Sequence, residues 1–317
     1  MRVALVLNGA AGALLGRPTE ATAARLGQIL AEAGAEARVS VAEGPDLCRA
    51  LDAAVASDAE AILVGGGDGT IIAAAERLLP ENRAGTAQPH GIRPLGILPM
   101  GTANLLARDL GIPLSPEAAL PALLAGATRR IDVALVNDRV FLNSSLPGIA
   151  PRMVLQRERM RHNRGPLKWL RLVRAFFRGF DRGPRLHAVL QADGQPVRLV
   201  TRTLAITNNP LAEGFAAIHS RTALDGGTLG VYAARIDRRL DLWRLIARLV
   251  AGTWQHDRAT AALAARRVNV VSRRPRLWVA NDGENHLLAT PLRYRILPRA
   301  LTVLVPQTDP DTPGTPP

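Results

Sequence analysis

Cysteine is almost missing from this chain. Cys48 is the only one in 317 residues, so no intramolecular disulfide and no Cys-rich metal site can form. A reducing, cytoplasmic setting is therefore expected. Aromatic residues are scarce at 3%, yet 47% of the residues are apolar, which excludes a disordered polymer and leaves the core to Leu, Val, Ile and Ala. Long apolar runs are missing too. Nothing approaches ~20 uninterrupted apolar residues, and the most apolar helical pattern, 240–250, is broken by Arg244 and Arg248. The opening run, 3–7, stops at Asn8-Gly9 and is too short for a secretory signal. Contact with a membrane is expected only from its surface.

Lysine is represented by Lys168 alone, so arginine carries a net charge of +13. That charge is uneven: residues 1–128 hold 9 basic and 13 acidic side chains, against 31 and 14 in residues 129–317. Such asymmetry points to an anionic partner for the second half. Residues 152–185 alone contain ten arginines and Lys168 against Glu158 and Asp181. From Pro166, Trp169, Leu172, Phe176 and Phe180 recur at helical spacing, while Arg171, Arg174, Arg178 and Arg182 form another stripe. A basic amphipathic helix over 163–182 suits an anionic membrane surface, apolar face in the acyl boundary and arginines on head groups. An ordinary packed helix with solvated arginines is the alternative. No nucleic-acid module accompanies the patch, so nucleic acid is not the expected partner.

Through residue 125, short β-branched runs at 3–7, 37–41, 61–64 and 95–98 alternate with Ala-rich helical stretches at 19–33, 46–56, 70–79, 103–110 and 116–124. This alternation predicts an α/β domain with a parallel sheet, binding ligand beyond the strand C-termini. After Arg129 the strands pair across turns: 130–136 with 139–143, 186–192 with 197–207, and 276–280 with 286–288. Further strands are expected at 229–233, 268–272, 292–297 and 301–305, with helical insertions near 163–180 and 239–251. The expected organisation is an α/β nucleotide-binding domain over 1–128, an antiparallel β-sandwich over 129–306 and a disordered tail over 307–317.

The strongest local motif is Gly65-Gly66-Gly67-Asp68-Gly69-Thr70, between a strand and a helix. Glycines permit positive φ and close ligand approach, and the following helix N-terminus aims N–H groups at an anion, which makes a phosphate cradle. No Lys follows, which rules out a Walker A loop, and the glycines lack dinucleotide spacing. Asp68 suits a site holding Mg²⁺ or a ribose hydroxyl; a tight, capped βα turn is the alternative. One unit later, 95–104 ends a strand with Gly101-Thr102 and opens a helix, where Thr102 and Asn104 can cap or meet a ligand.

These two loops, the continuation Ala107-Arg108-Asp109-Leu110-Gly111-Ile112-Pro113, the run Leu224-Asp225-Gly226-Gly227-Thr228-Leu229, and Asp282-Gly283-Glu284 followed by Thr290-Pro291-Leu292 carry a family resemblance. The sequence resembles the diacylglycerol kinase catalytic-domain family of lipid kinases, which includes sphingosine and ceramide kinases and soluble bacterial relatives. The resemblance implies an ATP- and Mg²⁺-dependent kinase with a lipid substrate; homodimerisation is left open. It implies that Gly66, Gly67, Asp68, Gly69 and Thr70 hold the phosphates and metal, with Thr102, Ser40 and Asn8 also at the nucleotide. Asp225, with main-chain groups of Thr222 and Gly227, matches a structural Mg²⁺ site, and Glu284 or Asp282 matches the base for the lipid hydroxyl. A carboxylate beside the nucleophile both orients it and takes its proton. Asp282-Gly283 also reads as a plain hairpin turn.

Three departures stand out. Asn8 is followed by Gly9-Ala10-Ala11-Gly12 without the family's proline. Ile71-Ile72-Ala73-Ala74 replaces the usual Asn-Glu after the glycine loop, and 216–223 is poor in glycine and proline. NAD kinase, a related fold, is a second reading, and a nucleotide-binding membrane-associated regulator without turnover is a third.

Overall fold

The computed structural model describes residues 1–11, 19–79, 93–148, 186–201, 203–212, 221, 223–234, 241, 243, 247–248 and 260–307. They divide into two units, Met1–Asp132 together with Arg299–Pro317, and Val133–Pro298. Residues from Arg299 on thus count with the first unit, a return that chain order alone does not reveal.

In the first unit, strands β1 (Arg2–Asn8), β2 (Glu36–Ala42), β3 (Ala61–Gly66) and β4 (Leu95–Pro99) and the end of β16 (Leu292–Val305) lie in the order β2-β1-β3-β4-β16. Every neighbouring pair is parallel. Helices α1 (Thr19–Glu32), α2 (Gly44–Ala56), α3 (Asp68–Leu78), α4 (Leu105–Asp109) and α5 (Pro116–Leu124) connect them. Helix α1 packs with α5, and α2 with α3. β3 is buried along its whole length, as expected of a strand covered on both faces. Leu5, Leu26, Leu30, Ile62 and Leu63 are fully enclosed, each stabilising the fold by roughly 1.5–3 kcal/mol.

The second unit contains β5 (Ala127–Val136, of which residues from Val133 belong here), β6 (Arg139–Phe141), β7 (Ser144–Pro147), β8 (Leu186–Ala192), β9 (Gln195–Thr201) and β10 (Thr203–Asn208). It continues with β11 (Leu229–Ala234), β12 (Thr260–Ala265), β13 (Arg267–Ser272), β14 (Arg276–Asn281) and β15 (Glu284–Ala289). One sheet runs β12-β11-β10-β7-β14-β15, and the other β16-β13-β8-β9, all antiparallel where registered. Phe141, Ile206, Val268, Val279 and Tyr294 belong to a single core cluster, with the Phe141 and Tyr294 rings edge to face at 6.1 Å. This is the expected antiparallel sandwich.

Local differences from the sequence expectation have clear causes. The single strand expected at 197–207 is two, because β9 pairs with β8 in one sheet and β10 with β7 and β11 in the other. Changing sheets shifts the inward set by one: Thr201 points in on β9, Leu204 and Ile206 on β10. The strands expected at 292–297 and 301–305 are one, bent at Arg299, whose φ is 51°. Strands β7 and β12 were not expected, being short or Ala-rich. Asp241, Trp243, Ala247 and Arg248 are helical, within the predicted 239–251 insertion. The basic helix over 163–182, Thr222 and the tail beyond residue 307 lie outside the described residues.

Candidate active site

Parallel pairing of β3 with β4, Gly66 opposite Pro99, delivers both glycine loops to one end of the sheet. The Met100 N–H donates to the Gly66 carbonyl at 3.0 Å, tying the loops together. A Cβ on Gly101 would lie 2.7 Å from the Gly67 Cα, and one on Gly66 would lie 2.5 Å from the Thr70 Cβ. Neither loop therefore has room for a side chain at these points. Here the structure corrects the sequence expectation of left-handed backbone. None of the glycines from 65 to 69 has positive φ, and what glycine supplies is the missing Cβ that lets two main chains touch.

Polar side chains brace the same rim. One Asp68 carboxylate oxygen accepts the first N–H of α4, Leu105, at 3.2 Å, so the acid of one loop holds the helix that follows the other. Asn104, at φ 49°, grips the Gly101 peptide from both sides: its Oδ1 accepts the Gly101 N–H at 2.8 Å and its Nδ2 donates to the Gly101 carbonyl at 2.9 Å. Asn8, at the end of β1, donates through Nδ2 to Thr70 Oγ1 at 2.8 Å. Thr70 and Ile71 donate back to Gly67, so the earlier N–H groups of α3 precede its hydrogen-bonded turns and suit an anion. Asn8, Gly66, Gly67, Asp68, Gly69, Thr70 and Thr102 are thereby gathered at the strand C-termini, Thr102 exposed beside Gly101. Ser40 is set back. It pairs with Val6, two residues before Ala42 pairs with Asn8. Ile72 and Ala73, which stand where the family pattern has Asn-Glu, are half-buried.

In the second unit, Asp282-Gly283 makes the two-residue turn between β14 and β15, with φ of 46° and 92°. Both lie in the left-handed region, the geometry of a type I′ hairpin. The Asp282 carboxylate turns inward onto the segment between β6 and β7. Its Oδ2 accepts Leu142 N–H at 2.6 Å, and its Oδ1 accepts Asn143 and Ser144 N–H at 3.0 and 2.7 Å. Its own N–H donates to the Ser144 carbonyl. Burial raises its pKa to about 6, partly offset by these three N–H donors and by the Arg221 charge. Glu284, two residues on, has a side chain 60% exposed, with His286 Nε2 at 3.9 Å. The two acids thus have different surroundings: Asp282 locks the hairpin, and Glu284 remains accessible.

Asp225 is half-buried, and Gly227 beside it sits at φ 70°. The Gly226 N–H donates to Asn209 Oδ1 at 3.0 Å, fixing this loop to the end of β10. Among the described residues no three His, Cys, Asp or Glu side chains gather to hold a metal. An ion here would rest on one carboxylate and main-chain oxygens, a hard donor set that fits Mg²⁺. Sequence reading did not find Arg221, whose guanidinium bonds the Leu142 and Asn208 carbonyls at 2.6 and 3.1 Å and Asn143 Oδ1 at 3.2 Å. One more arginine in an arginine-rich chain carries no local signal.

Comparison with known proteins bears on these loops. The family described as "Diacylglycerol kinase catalytic domain" matches residues 2–136, and "YegS C-terminal NAD kinase beta sandwich-like domain" matches residues 147–305, half of the chain. A Pseudomonas aeruginosa (strain UCBPP-PA14) protein named "Probable lipid kinase YegS-like" is 42% identical over 123 residues, 38% of this chain and 38% of that protein. One named "Probable lipid kinase YegS" from Salmonella typhimurium (strain LT2) is 36% identical over 130 residues, 40% of this chain and 42% of the relative. These matches span about two fifths of the relatives' length. A crystal structure titled as a diacylglycerol kinase from Bacillus anthracis str. Sterne superposes with a TM-score of 0.68 at 18% identity, covering 96% of each chain, a likeness of fold.

Proposed function

The chain belongs to the diacylglycerol kinase catalytic-domain family with a YegS-type β-sandwich, and from that membership we propose that it transfers the γ-phosphoryl group of ATP to a hydroxyl of diacylglycerol or a related amphiphilic lipid. The observation that carries the reading is the pair of interlocked glycine loops, Gly67 against Gly101, with Asp68 bonded to Leu105. Their main-chain N–H groups cradle phosphates at the C-terminal end of a parallel sheet. Thr70 binds the nucleotide's phosphates, and Asp68 would hold the Mg²⁺ that accompanies them, an ion that would neutralise charge developing on the transferred group. Thr102 and Asn8 complete the rim. Glu284 orients the acceptor hydroxyl and takes its proton, and Asp282 positions Glu284 by fixing the turn between them. Asp225, with main-chain groups of Thr222 and Gly227, would hold a structural Mg²⁺.

Among the described residues no helix is long and apolar enough to cross a membrane. The lipid acceptor is reached from the bilayer surface, and the net positive segment 152–185 supplies the attraction to anionic head groups. The test is incubation with labelled ATP and Mg²⁺, offering diacylglycerol, a sphingoid base and ceramide in mixed micelles, and NAD in solution. Label in a lipid supports the proposal; label in NAD alone, or ATP bound with none transferred, overturns it.

A further inference from the structure

The outward face of the β16-β13-β8 sheet carries a cluster that the kinase reading does not use. Along β13, Val268 and Val270 point into the core, as do Leu292 and Tyr294 on β16, so Arg267, Asn269, Arg293 and Arg295 point out. Register sets Arg267 directly opposite Arg295, and Asn269 opposite both Arg293 and Gln191. Opposed side chains on antiparallel strands have Cβ atoms roughly 4.5–5.5 Å apart, and like charges in that position repel. These residues line a cleft of about 940 Å³.

The acids nearby offset the cluster only in part. Asp193 uses its carboxylate on the Arg266 and Arg267 main-chain N–H groups, at 2.8–3.1 Å. Asp138, 90% exposed, reaches Arg295 at 3.7 Å. Among the described residues no side-chain hydrogen bond or ion pair engages Arg267 or Arg293. Asn137 bridges the rim, accepting the Arg293 N–H at 2.8 Å and donating to the Ala289 carbonyl at 2.7 Å, which fixes the strand bearing the arginines.

We propose that this cleft is a second anion site, where Arg267, Arg293 and Arg295, with the Asn269 and Gln191 amides, bind a phosphate-bearing ligand. A guanidinium presents a planar fork of donors that matches two phosphate oxygens. A phosphate dianion between Arg267 and Arg295 turns their mutual repulsion into shared attraction, and the amides supply donors for its remaining oxygens. The site lies within the second unit, whereas the glycine loops lie in the first. The ligand chemistry is shared by a free phosphate compound and a phosphomonoester lipid headgroup.

The test separates these sources. Inorganic pyrophosphate is titrated calorimetrically, and vesicles of phosphatidylcholine with or without phosphatidic acid are sedimented, against wild type, Arg267→Ala, Arg293→Ala, Arg293→Lys and the double alanine variant. Expected is the loss of one class of pyrophosphate site, with about tenfold weaker binding for each alanine substitution and an intermediate loss for Arg293→Lys. If pyrophosphate binding is unaffected but sedimentation with phosphatidic acid vesicles is lost in the double variant, the site stands and its ligand is a headgroup. Both arginines are exposed, so thermal midpoints should hold, and Arg267→Ala should not lower its own. Identical behaviour of wild type and the double variant toward both probes would overturn the site.

Discussion

Each unit has an Asp-Gly pair at the tip of its candidate machinery, and the same dipeptide does opposite things. Asp68-Gly69 opens α3 with ordinary backbone, and the Asp68 carboxylate reaches across to the neighbouring loop. Asp282-Gly283 turns a hairpin in the left-handed region, and the Asp282 carboxylate is enclosed by three N–H groups. In the first unit the acid remains at a rim suited to a ligand. In the second it acts as a structural pin, leaving Glu284 accessible. What decides is the chain each acid meets, Leu105 in one case and Leu142 to Ser144 in the other.

The sharpest way to break that contrast is to remove both accessible acids. Asp68→Ala should lower turnover about a thousandfold, through loss of charge organisation at the transferred group. Lipid phosphorylation near the wild-type rate would show that Asp68 serves only α4. Glu284→Gln should lower kcat about a hundredfold, with ATP affinity and thermal midpoint unchanged, since a base acts on the acceptor alone. A matching loss of ATP affinity would remove Glu284 from that role.

Gly101→Ala tests the first unit without touching any charge. The added Cβ would lie 2.7 Å from a main-chain atom, which has no rotamer to swing aside. The loops must part, and ATP should bind about tenfold more weakly, measured with a non-hydrolysable analogue. Unchanged affinity would mean that the interlocking is not what holds the phosphates.

Much of this was legible in the sequence, but unevenly. The strand-helix alternation placed β1 to β4, because fully buried parallel strands and their helices are written in local composition. The two glycine loops announced themselves by spacing. The strand change at residues 201–203 was not legible, since both halves are β-formers and only pairing with distant β8 or β11 distinguishes them. The same holds for the bend at Arg299. Ser40 was expected at the nucleotide, but strand composition does not fix how far a strand runs, and pairing with β1 carries β2 two residues past it. The roles of Asp282 and Glu284 could not be separated from sequence, because the three N–H groups that claim Asp282 lie about 140 residues away. Arg221 and Asn209 were invisible for the same reason.

The smallest effect on chemistry, and the clearest on stability, belongs to Asp282. Asp282→Asn puts an amide NH₂ among N–H donors and leaves at least one without an acceptor, costing about 2 kcal/mol, while ATP affinity should be unchanged. Its pH dependence has a definite sign. Burial raises the folded-state pKa to about 6, above the usual carboxylate value of 3.8. The folded protein therefore holds this proton more tightly than the unfolded chain. The stability so contributed is fully present below about pH 4 and is lost as pH rises through about 6. The variant lacks the titrating group, so the wild-type advantage in thermal midpoint should be largest near pH 4 and shrink toward pH 7. A constant difference across that range would mean that the three N–H donors cancel the cost of burial. Asp282 would then be a fully compensated anion, closer in character to Asp68 than the two turns suggest.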